Sequence, residues 1–200
     1  MQHHSLAAFL MILSITVKLS NGLKEKTMTQ QNPVVLAEIT LPTQETPTIG
    51  MTYCPGKPDK NGVQATDVRA DLKAIKDWGA NAVISLVNQK EMATYQVENL
   101  GERVANAGMR WFHLPFEDGG IPCDSFRAKW LEQKADIVNL LHNGGKVVVH
   151  CRGGKGRTGL ICAQLMLTMG VDFDQTVSLV QQNRQGTLAK PEHIEYLKSL

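Results

Sequence analysis

A short run of β-branched residues near position 148 constrains the fold of this chain most strongly. The segment Lys146–His150 contains three consecutive valines, and unbroken runs of this kind are typical of parallel strands that are covered on both faces. A glycine-rich segment follows, and from Arg157 to Met169 the chain is apolar on nearly every side, which predicts a buried helix. A buried strand followed by a buried helix favours a parallel sheet with helices packed on both of its faces.

Strands and helices alternate along the rest of the chain, as hydrophobic period and turn residues indicate. Besides the segments above, the sequence predicts strands at 34–40, 49–53, 82–87 and 110–114, and helices at 68–79, 97–107, 124–143, 174–183 and from 191 onward. We therefore predict one α/β domain over residues 34–200, with a mainly parallel central sheet flanked by helices.

Residues 1–33 are predicted to form an apolar leader and a linker. Ser5–Val17 is nearly all apolar, and Ser20–Gly22 resembles the cleavage site of a secretory signal peptide. No Lys or Arg precedes the apolar run, however, and Met28 is an alternative start, so an upstream start codon is the other interpretation. The apolar run is too short to span a bilayer, and we expect no stable membrane insertion.

Charge and cysteine content argue against several classes of partner. A formal net charge of +2 and sparse aromatic residues give no basis for nucleic-acid binding. The cysteines form no Cys-x-x-Cys pair and His150 lacks zinc-ligand spacing to Cys151, so we predict no metal site. Free thiols favour a reducing, cytoplasmic location, although pairing of Cys151 with another cysteine under oxidation stays open. The other three cysteines are Cys54, Cys123 and Cys162.

The glycine-rich segment between the predicted strand and helix has the features of an anion-binding loop. Glycines let the backbone curl so that successive N–H groups point inward, and the following helix adds the positive end of its dipole. Cys151 stands at the base of this loop, where helix N-termini and cations stabilise a thiolate, and we predict that it is a nucleophile. The residues expected to surround a bound phosphate are Arg152, Gly153, Gly154, Lys155, Gly156 and Arg157.

Three neighbours of the loop are expected to assist the cysteine. The planar fork of Arg157 can bind two oxygens of a phosphoryl group, which a lysine cannot do. The hydroxyl of Thr158 can reach back to the sulfur and steady it as a leaving group. His150 is expected to hydrogen-bond backbone and to hold the loop rather than to react.

Cys-x5-Arg-Thr after a hydrophobic strand and a histidine resembles the signature of the protein tyrosine and dual-specificity phosphatases. The general acid of that family is an aspartate on a separate upstream loop, and the resemblance assigns it to Asp118 in Pro115–Gly120. Within the family, the Asp-Gly-Gly sequence at 118–120 and the earlier Cys54–Gly56 segment look most similar to the cyclin-dependent kinase-associated phosphatases. The resemblance implies a phosphotyrosine-phosphatase-like fold.

The same resemblance implies a two-step reaction without metal or cofactor. Cys151 would attack phosphorus while Asp118 protonates the leaving oxygen, and Asp118 would then help water to hydrolyse the phosphocysteine. Asp118 must begin protonated, which burial under a closed loop could arrange, and Glu117 is its rival for the role. Arg184 resembles a family arginine that supports the phosphate loop, with a solvated helix-terminal cation as the alternative. The usual water-positioning glutamine is missing, and Gln182 or His193 could replace it.

Other functions fit parts of this pattern. Gly154-x-Gly156-x-x-Gly159 follows a strand as in dinucleotide-binding domains, but the residues that remain read as helices, whereas such a domain needs further strands. A rhodanese-type sulfurtransferase also has a cysteine in an anion-binding loop, but it needs no acid such as Asp118. A catalytically silent phosphate-binding module on the same fold stays open.

The substrate is expected to be a phosphorylated protein, carrying phosphotyrosine or phosphoserine and phosphothreonine monoesters. Arg152 and Lys155 make the loop cationic, and Cys-x-x-Gly-Lys-Gly-Arg-Thr also resembles the phosphatase-and-tensin-homologue lipid phosphatases. A phosphoinositide or inositol phosphate is therefore the alternative, although no basic amphipathic helix accompanies the loop. The sequence does not indicate an oligomeric state.

Overall fold

The computed structural model describes residues 34, 36–43, 45–58 and 67–200. All of these residues belong to one unit, which spans Gln31–Leu200. The leader and linker predicted over residues 1–33 lie outside the described residues, so the two interpretations of that segment stay predictions. Among the described residues, none of the helices has both the length and the apolar character needed to cross a membrane.

The described strands form one five-stranded sheet in the order β1-β2-β5-β3-β4. The first strand pairs antiparallel with its neighbour, and every other pair is parallel. The mainly parallel sheet expected from the sequence is therefore confirmed, and the first strand is shorter than the predicted 34–40. The bounds are Ala37–Thr40 (β1), Thr48–Tyr53 (β2), Ala82–Ser85 (β3), Arg110–His113 (β4) and Lys146–Cys151 (β5).

Seven helices connect and follow these strands in the part of the chain that the structure describes. Six of them lie where hydrophobic period placed them, whereas α2 was not predicted from the sequence. Their bounds are Val68–Asp77 (α1), Gln89–Thr94 (α2), Leu100–Asn106 (α3), Asp124–His142 (α4), Gly156–Thr168 (α5), Phe173–Asn183 (α6) and Pro191–Lys198 (α7).

The missed helix α2 is short and begins with a capping box. The side chain of Asn88 accepts from the backbone N–H of Glu91, and the Glu91 carboxylate accepts from the backbone N–H of Asn88. Asn-x-x-Glu is a helix-start signal that can be read from sequence. With six residues, however, the helix has too few turns to show a hydrophobic period.

Both faces of the sheet are covered, and the side chains of β5 alternate between two cores. Val147 and Val149 belong to the cluster formed with α4–α7, whereas Val148 points to the cluster formed with α1–α3. All three valines are fully buried, and each such side chain contributes roughly 1.5–3 kcal/mol through apolar burial. This two-sided burial accounts for the unbroken apolar run between Lys146 and His150.

The order of elements places one loop at a junction of the sheet. β5 lies between β2 and β3, and all three strands run in the same direction, so their carboxyl ends meet at one edge. The chain leaves β5 at Cys151 and enters α5 at Gly156. Ligands of parallel α/β sheets bind at such carboxyl ends, and the segment 151–157 is therefore the first place to search for a site.

Candidate active site

The loop after β5 is shaped by the close approach of Gly154 to the neighbouring strand. Gly154 has a φ of +68°, and a Cβ at this position would lie 2.3 Å from the carbonyl oxygen of Thr52 in β2. A side chain is therefore excluded by both backbone conformation and space. At Gly153 and Gly156 a Cβ would meet no atom within 4 Å. The crossing at Gly154 makes the loop turn back over Cys151, which is 2% exposed.

Arg157 is fully buried at the first turn of α5, and its guanidinium group is held by three elements. One terminal nitrogen donates to the carbonyl oxygens of Leu86 and Phe116, at 3.0 and 2.9 Å. Both terminal nitrogens also donate to the carboxylate of Glu91, at 2.7 and 2.6 Å. This geometry holds the fork of Arg157 in one orientation before any ligand arrives.

The Nε of Arg157 is buried and has no hydrogen-bond partner among the described residues. A buried donor without an acceptor costs roughly 1–3 kcal/mol. An oxyanion bound within reach of Nε would supply this acceptor.

The sequence does not predict Glu91 as the partner that orients Arg157. Its side chain is 15% exposed. Burial by itself would raise the pKa of Glu91, but hydrogen bonds from Arg157 and from the backbone of Asn88 lower it below its ordinary value. The capping box of α2 was the available signal, but it indicated a helix start and not a contact with Arg157.

The lowered pKa of Glu91 predicts how stability depends on pH. A carboxylate whose pKa is lower in the folded state stabilises the protein above its unfolded pKa of about 4.3, and this contribution disappears as pH falls through the folded value. We expect Glu91→Gln to lower the free energy of unfolding by about 1.5–3 kcal/mol at pH 7. Urea denaturation between acidic and neutral pH should show this deficit shrinking below about pH 4.

Glu117→Gln is the matched control for that experiment, because Glu117 is exposed and its side chain accepts a single hydrogen bond from Asn88 at 3.3 Å. We expect a change below about 0.5 kcal/mol for this variant. A deficit in Glu91→Gln that persists unchanged at the most acidic pH would contradict the assignment.

The two acidic residues of the loop before Gly119 point in different directions. Asp118 lines the same cleft as Cys151, with one carboxylate oxygen 3.3 Å from Arg157 and the other 3.9 Å from Arg152. Glu117 instead pairs with Asn88 at the start of α2. The geometry therefore places Asp118, and not Glu117, beside the cysteine.

Asp118 differs from expectation in one respect, because its side chain is 52% exposed rather than buried. Asp118 lies at a turn, where the next residue, Gly119, has a φ of +76°. The guanidinium groups of Arg157 and Arg152 lie beside this carboxylate, and no loop of the described residues buries it.

The start of α7 holds the loop that carries Asp118. Lys190 Nζ donates to the carbonyl oxygen of Gly119 at 2.6 Å. His193 is 2% exposed, and burial followed by the nearby charge of Lys190 lowers its pKa. Neither of its ring nitrogens has a hydrogen-bond partner among the described residues. His193 lies near Gly120 of the loop that carries Asp118, whereas the Gln182 side chain bonds back to Ser178 on its own helix. The water-positioning role considered for either residue stays a prediction.

His150 belongs to a buried polar chain behind the cysteine. Its Nε2 lies 2.6 Å from Ser85 Oγ, which accepts from Trp111 Nε1 at 2.8 Å. The expected contact with backbone is thus replaced by one with the Ser85 side chain, because β3 lies directly beside β5. Burial lowers the pKa of His150 to about 4, so the ring is neutral at pH 7.

The remaining two predicted residues have different outcomes. Arg184 donates to the carbonyl oxygens of Gly153 and Met51, at 3.2 and 3.4 Å, so it contacts the loop directly. Thr158 Oγ1 is buried and bonds to no described residue, so the expected hydrogen bond to the sulfur of Cys151 is absent. Thr158 lies in the first turn of α5, where it is fully buried.

The cleft above Cys151 has a volume of about 240 Å³ and a cationic rim. Arg152 and Lys155, which the sequence predicts to surround a bound phosphate, lie on this rim. Lys57, in the loop after β2, lies there as well. Lys57 was not predicted from the sequence, because no local pattern indicates that the loop after β2 lies near Cys151. Asp118 is the acidic residue among those that line the cleft.

All four cysteines are free thiols in this structure. Cys54 is buried, and burial followed by its proximity to Cys151 raises its pKa to about 12. Burial likewise raises the pKa of Cys162, whereas Cys123 is exposed. Among the described residues, no group of three or more His, Cys, Asp or Glu side chains is placed to hold a metal ion.

Comparison with known proteins gives consistent matches in sequence and in fold. Residues 14–179 match the family model described as cyclin-dependent kinase inhibitor 3 (CDKN3). The cyclin-dependent kinase inhibitor 3 of Mus musculus is 27% identical over 133 residues, which cover 66% of this chain and 62% of the mouse protein. The tyrosine-protein phosphatase CDC14 of Saccharomyces cerevisiae is 28% identical over 136 residues, covering 67% of this chain and 23% of the yeast protein.

Among solved structures, the chain is similar to kinase associated phosphatase (KAP) with its catalytic-site cysteine replaced by serine. The TM-score is 0.73 at 24% identity, over 84% of this chain and 94% of the other. That similarity confirms the predicted phosphatase-like fold. The chain spans less than two thirds of the length of the curated relatives described above.

Proposed function

We infer, from the premise that this chain belongs to the cyclin-dependent kinase inhibitor 3 family, that it is a phosphoprotein phosphatase that acts through a phosphocysteine on Cys151. The observation that carries the proposal is the fixed guanidinium of Arg157, buried beside a cysteine at the base of a curled loop. Such a site binds a tetrahedral anion and offers a nucleophile to its central atom.

In the first proposed step, the phosphate enters the loop with its ester oxygen directed away from Cys151. The N–H groups of the loop and Arg157 neutralise the equatorial oxygens, where negative charge is concentrated. Cys151 forms the S–P bond as the P–O bond to the leaving group breaks, and Asp118 donates a proton to that oxygen.

In the second step, water attacks the phosphocysteine and releases inorganic phosphate. Asp118, now a carboxylate, accepts a proton from the water, and the sulfur leaves as a thiolate. Arg184 supports the loop through Gly153 during both steps. The bond from Thr158 to the departing sulfur that the sequence predicts is not part of this proposal, because Thr158 makes no such bond in this structure.

The experiment that tests the proposal is turnover of p-nitrophenyl phosphate in EDTA, followed by rapid quenching of the reaction between the protein and a labelled phosphopeptide with detergent at alkaline pH, where the S–P bond persists. We expect phosphate release without added metal and label retained on Cys151. Binding of the phosphopeptide with no release of phosphate would overturn catalysis and would leave a phosphate-binding module.

A phosphoinositide is the second candidate substrate, and the cationic rim of the cleft favours it. Lys57, Arg152 and Lys155 all line the opening above Cys151, and clustered cations attract ligands with more than one negative charge. Parallel assays with phosphopeptides, soluble inositol phosphates and phosphoinositide vesicles would rank the classes by kcat/KM. Preference for a phosphopeptide would support the first proposal.

The proposed partner is a phosphorylated protein in the cytoplasm, and a phosphorylated kinase is the first to test, because related proteins are named as inhibitors of cyclin-dependent kinases. Phosphate release from such a kinase, detected by antibodies to its phosphorylated residues, is the measurement.

Lys190 is proposed to position Asp118 through the loop between them. Lys190→Met removes the hydrogen bond to Gly119 and keeps most of the side-chain stem. One hydrogen bond contributes about 0.5–1.5 kcal/mol, so we expect kcat for phenyl phosphate to fall by about 2–10-fold. The effect on p-nitrophenyl phosphate should be smaller, because p-nitrophenolate leaves without protonation.

Glu192→Gln is the control for that variant, because it removes the 3.6 Å ion pair of Lys190 and leaves the contact with Gly119 in place. Its kcat should match wild type for both substrates. An equal loss for phenyl and p-nitrophenyl phosphate in Lys190→Met would show that Lys190 does not act through the acid.

A further inference from the structure

A second concave surface lies between α1 and α3, away from the phosphate loop. It encloses about 460 Å³, against about 240 Å³ for the cleft above Cys151, and none of its lining residues belongs to that cleft. We call it the α1/α3 groove, lined by Arg69, Leu72, Lys73, Lys76, Arg103 and Ala107 together with Asp77 and Asn106. Nothing in the proposed reaction uses it.

Cations dominate the α1/α3 groove, and two of them are not neutralised. Lys73 pairs with Asp77 at 2.6 Å. Lys76 Nζ instead donates to the carbonyl oxygen of Gly108, and Arg103 Nε donates to the side chain of Asn99. Within the part of the chain that the structure describes, neither Lys76 nor Arg103 has a carboxylate within ion-pair distance. The groove therefore carries net positive charge.

The surface between these cations is mostly carbon. Leu72, which is 2% exposed, and the half-buried Ala107 are the apolar residues among the described residues that line it. The alkyl stems of the lysine and arginine side chains form the walls, as long cationic side chains commonly do while their charged ends stay in water. A ligand that fits must present apolar groups to the centre and negative charge to the edges.

Shape and composition favour a peptide over other anionic partners. A volume of this size lies in the range of about 300–1,000 Å³ that is typical of ligand sites. The large exposed hydrophobic side chains of the described residues are Ile121, Leu131 and Leu200, none of which lines the groove, so it has no side chain to insert into a lipid surface. None of the described residues that line it is aromatic, so these residues offer no stacking platform for nucleic-acid bases.

We propose that the α1/α3 groove binds an acidic, leucine-containing segment of a partner protein. Leucine side chains occupy the apolar centre between the helices, and flanking glutamate or aspartate side chains pair with Lys76 and Arg103. Grooves between two helices accept short peptide segments through apolar anchors in this way. The contact would bring a protein substrate to the enzyme through a surface separate from Cys151.

The test is binding of a fluorescein-labelled peptide that carries leucines flanked by glutamates and no phosphate, measured by fluorescence anisotropy on the full chain. We expect saturable binding that weakens by at least about tenfold in the double variant Lys76→Glu/Arg103→Glu. Binding should also weaken as salt rises and screens the charges. The readout does not depend on turnover at Cys151, so it stands or falls separately from the proposed function.

The double variant Lys134→Glu/Lys198→Glu is the matched control, with the same change in net charge on exposed residues of α4 and α7. It should bind the peptide like wild type, and a peptide with serine in place of leucine should bind more weakly. Equal loss of peptide binding in both double variants would overturn the proposal, and so would equal binding of the leucine and serine peptides. In either case the peptide would bind through charge attraction alone. Stronger binding of an RNA oligomer or of phosphatidylserine vesicles through Lys76 and Arg103 would overturn the choice of a peptide.

Discussion

Cys151→Ser should lower kcat for p-nitrophenyl phosphate by at least about 10⁴-fold, because a serine hydroxyl is a far weaker nucleophile than a thiolate at neutral pH. The loop itself should persist, since its shape depends on Gly154 and on the anchoring of Arg157 rather than on the sulfur. Phosphopeptide affinity, measured by titration calorimetry, is therefore expected to stay within about tenfold of wild type.

Cys123→Ser is the matched control for this change. Cys123 is an exposed thiol at the start of α4, and its Sγ lies 3.1 Å from Oγ of Ser125. Its variant should turn over substrate at the wild-type rate. Comparable activity in Cys151→Ser and wild type would exclude Cys151 as the nucleophile, whatever the result with Cys123→Ser.

Arg157→Met should have the largest combined effect on activity and stability. The substitution removes the cation that we propose binds the phosphate, and kcat/KM should fall by at least about 10³-fold. It also leaves Glu91 as a carboxylate without its guanidinium partner, and breaking a buried pair in this way costs about 3–5 kcal/mol. Urea denaturation at pH 7 and steady-state kinetics are the two measurements.

Arg152→Met is the control within the same loop. The side chain of Arg152 is 61% exposed, and its ion pair with Asp118 spans 3.9 Å, so the stability change should stay below about 1 kcal/mol. If Arg157→Met were no less stable than Arg152→Met, the contacts with Glu91 would not be the anchor described above. Combining Arg157→Met with Glu91→Gln should recover part of the stability lost, because the unpaired charge is then removed.

The secondary structure was largely predictable because its signals are local. β5 is a run of valines and α5 is apolar on nearly every side, so the residue types alone predict that both elements are buried. The spacing from Cys151 to Arg157 likewise needs no long-range information, since both lie on one loop and the first turn of one helix. Family membership, the parallel sheet and the phosphatase-like fold agree with these expectations.

The tertiary structure decided which residues complete the site. Glu91 lies 66 positions before Arg157, which it binds. The local Asn-x-x-Glu pattern indicates only that a helix begins there. The choice between Asp118 and Glu117 depended on a turn at Gly119 and on the location of Asn88. Lys57 reaches the cleft because β2 and β5 are adjacent strands.

The sequence by itself therefore determined the described elements other than α2, the order of strand, loop and helix, and the spacing between Cys151 and Arg157. Those properties follow from the conformational preferences and hydrophobic period of neighbouring residues. Only the tertiary structure decided the partners of that arginine, the orientation of the acidic residues and the cations of the two concave surfaces. Contacts between residues far apart in the chain depend on how strands pair and how helices pack, which local preferences do not encode.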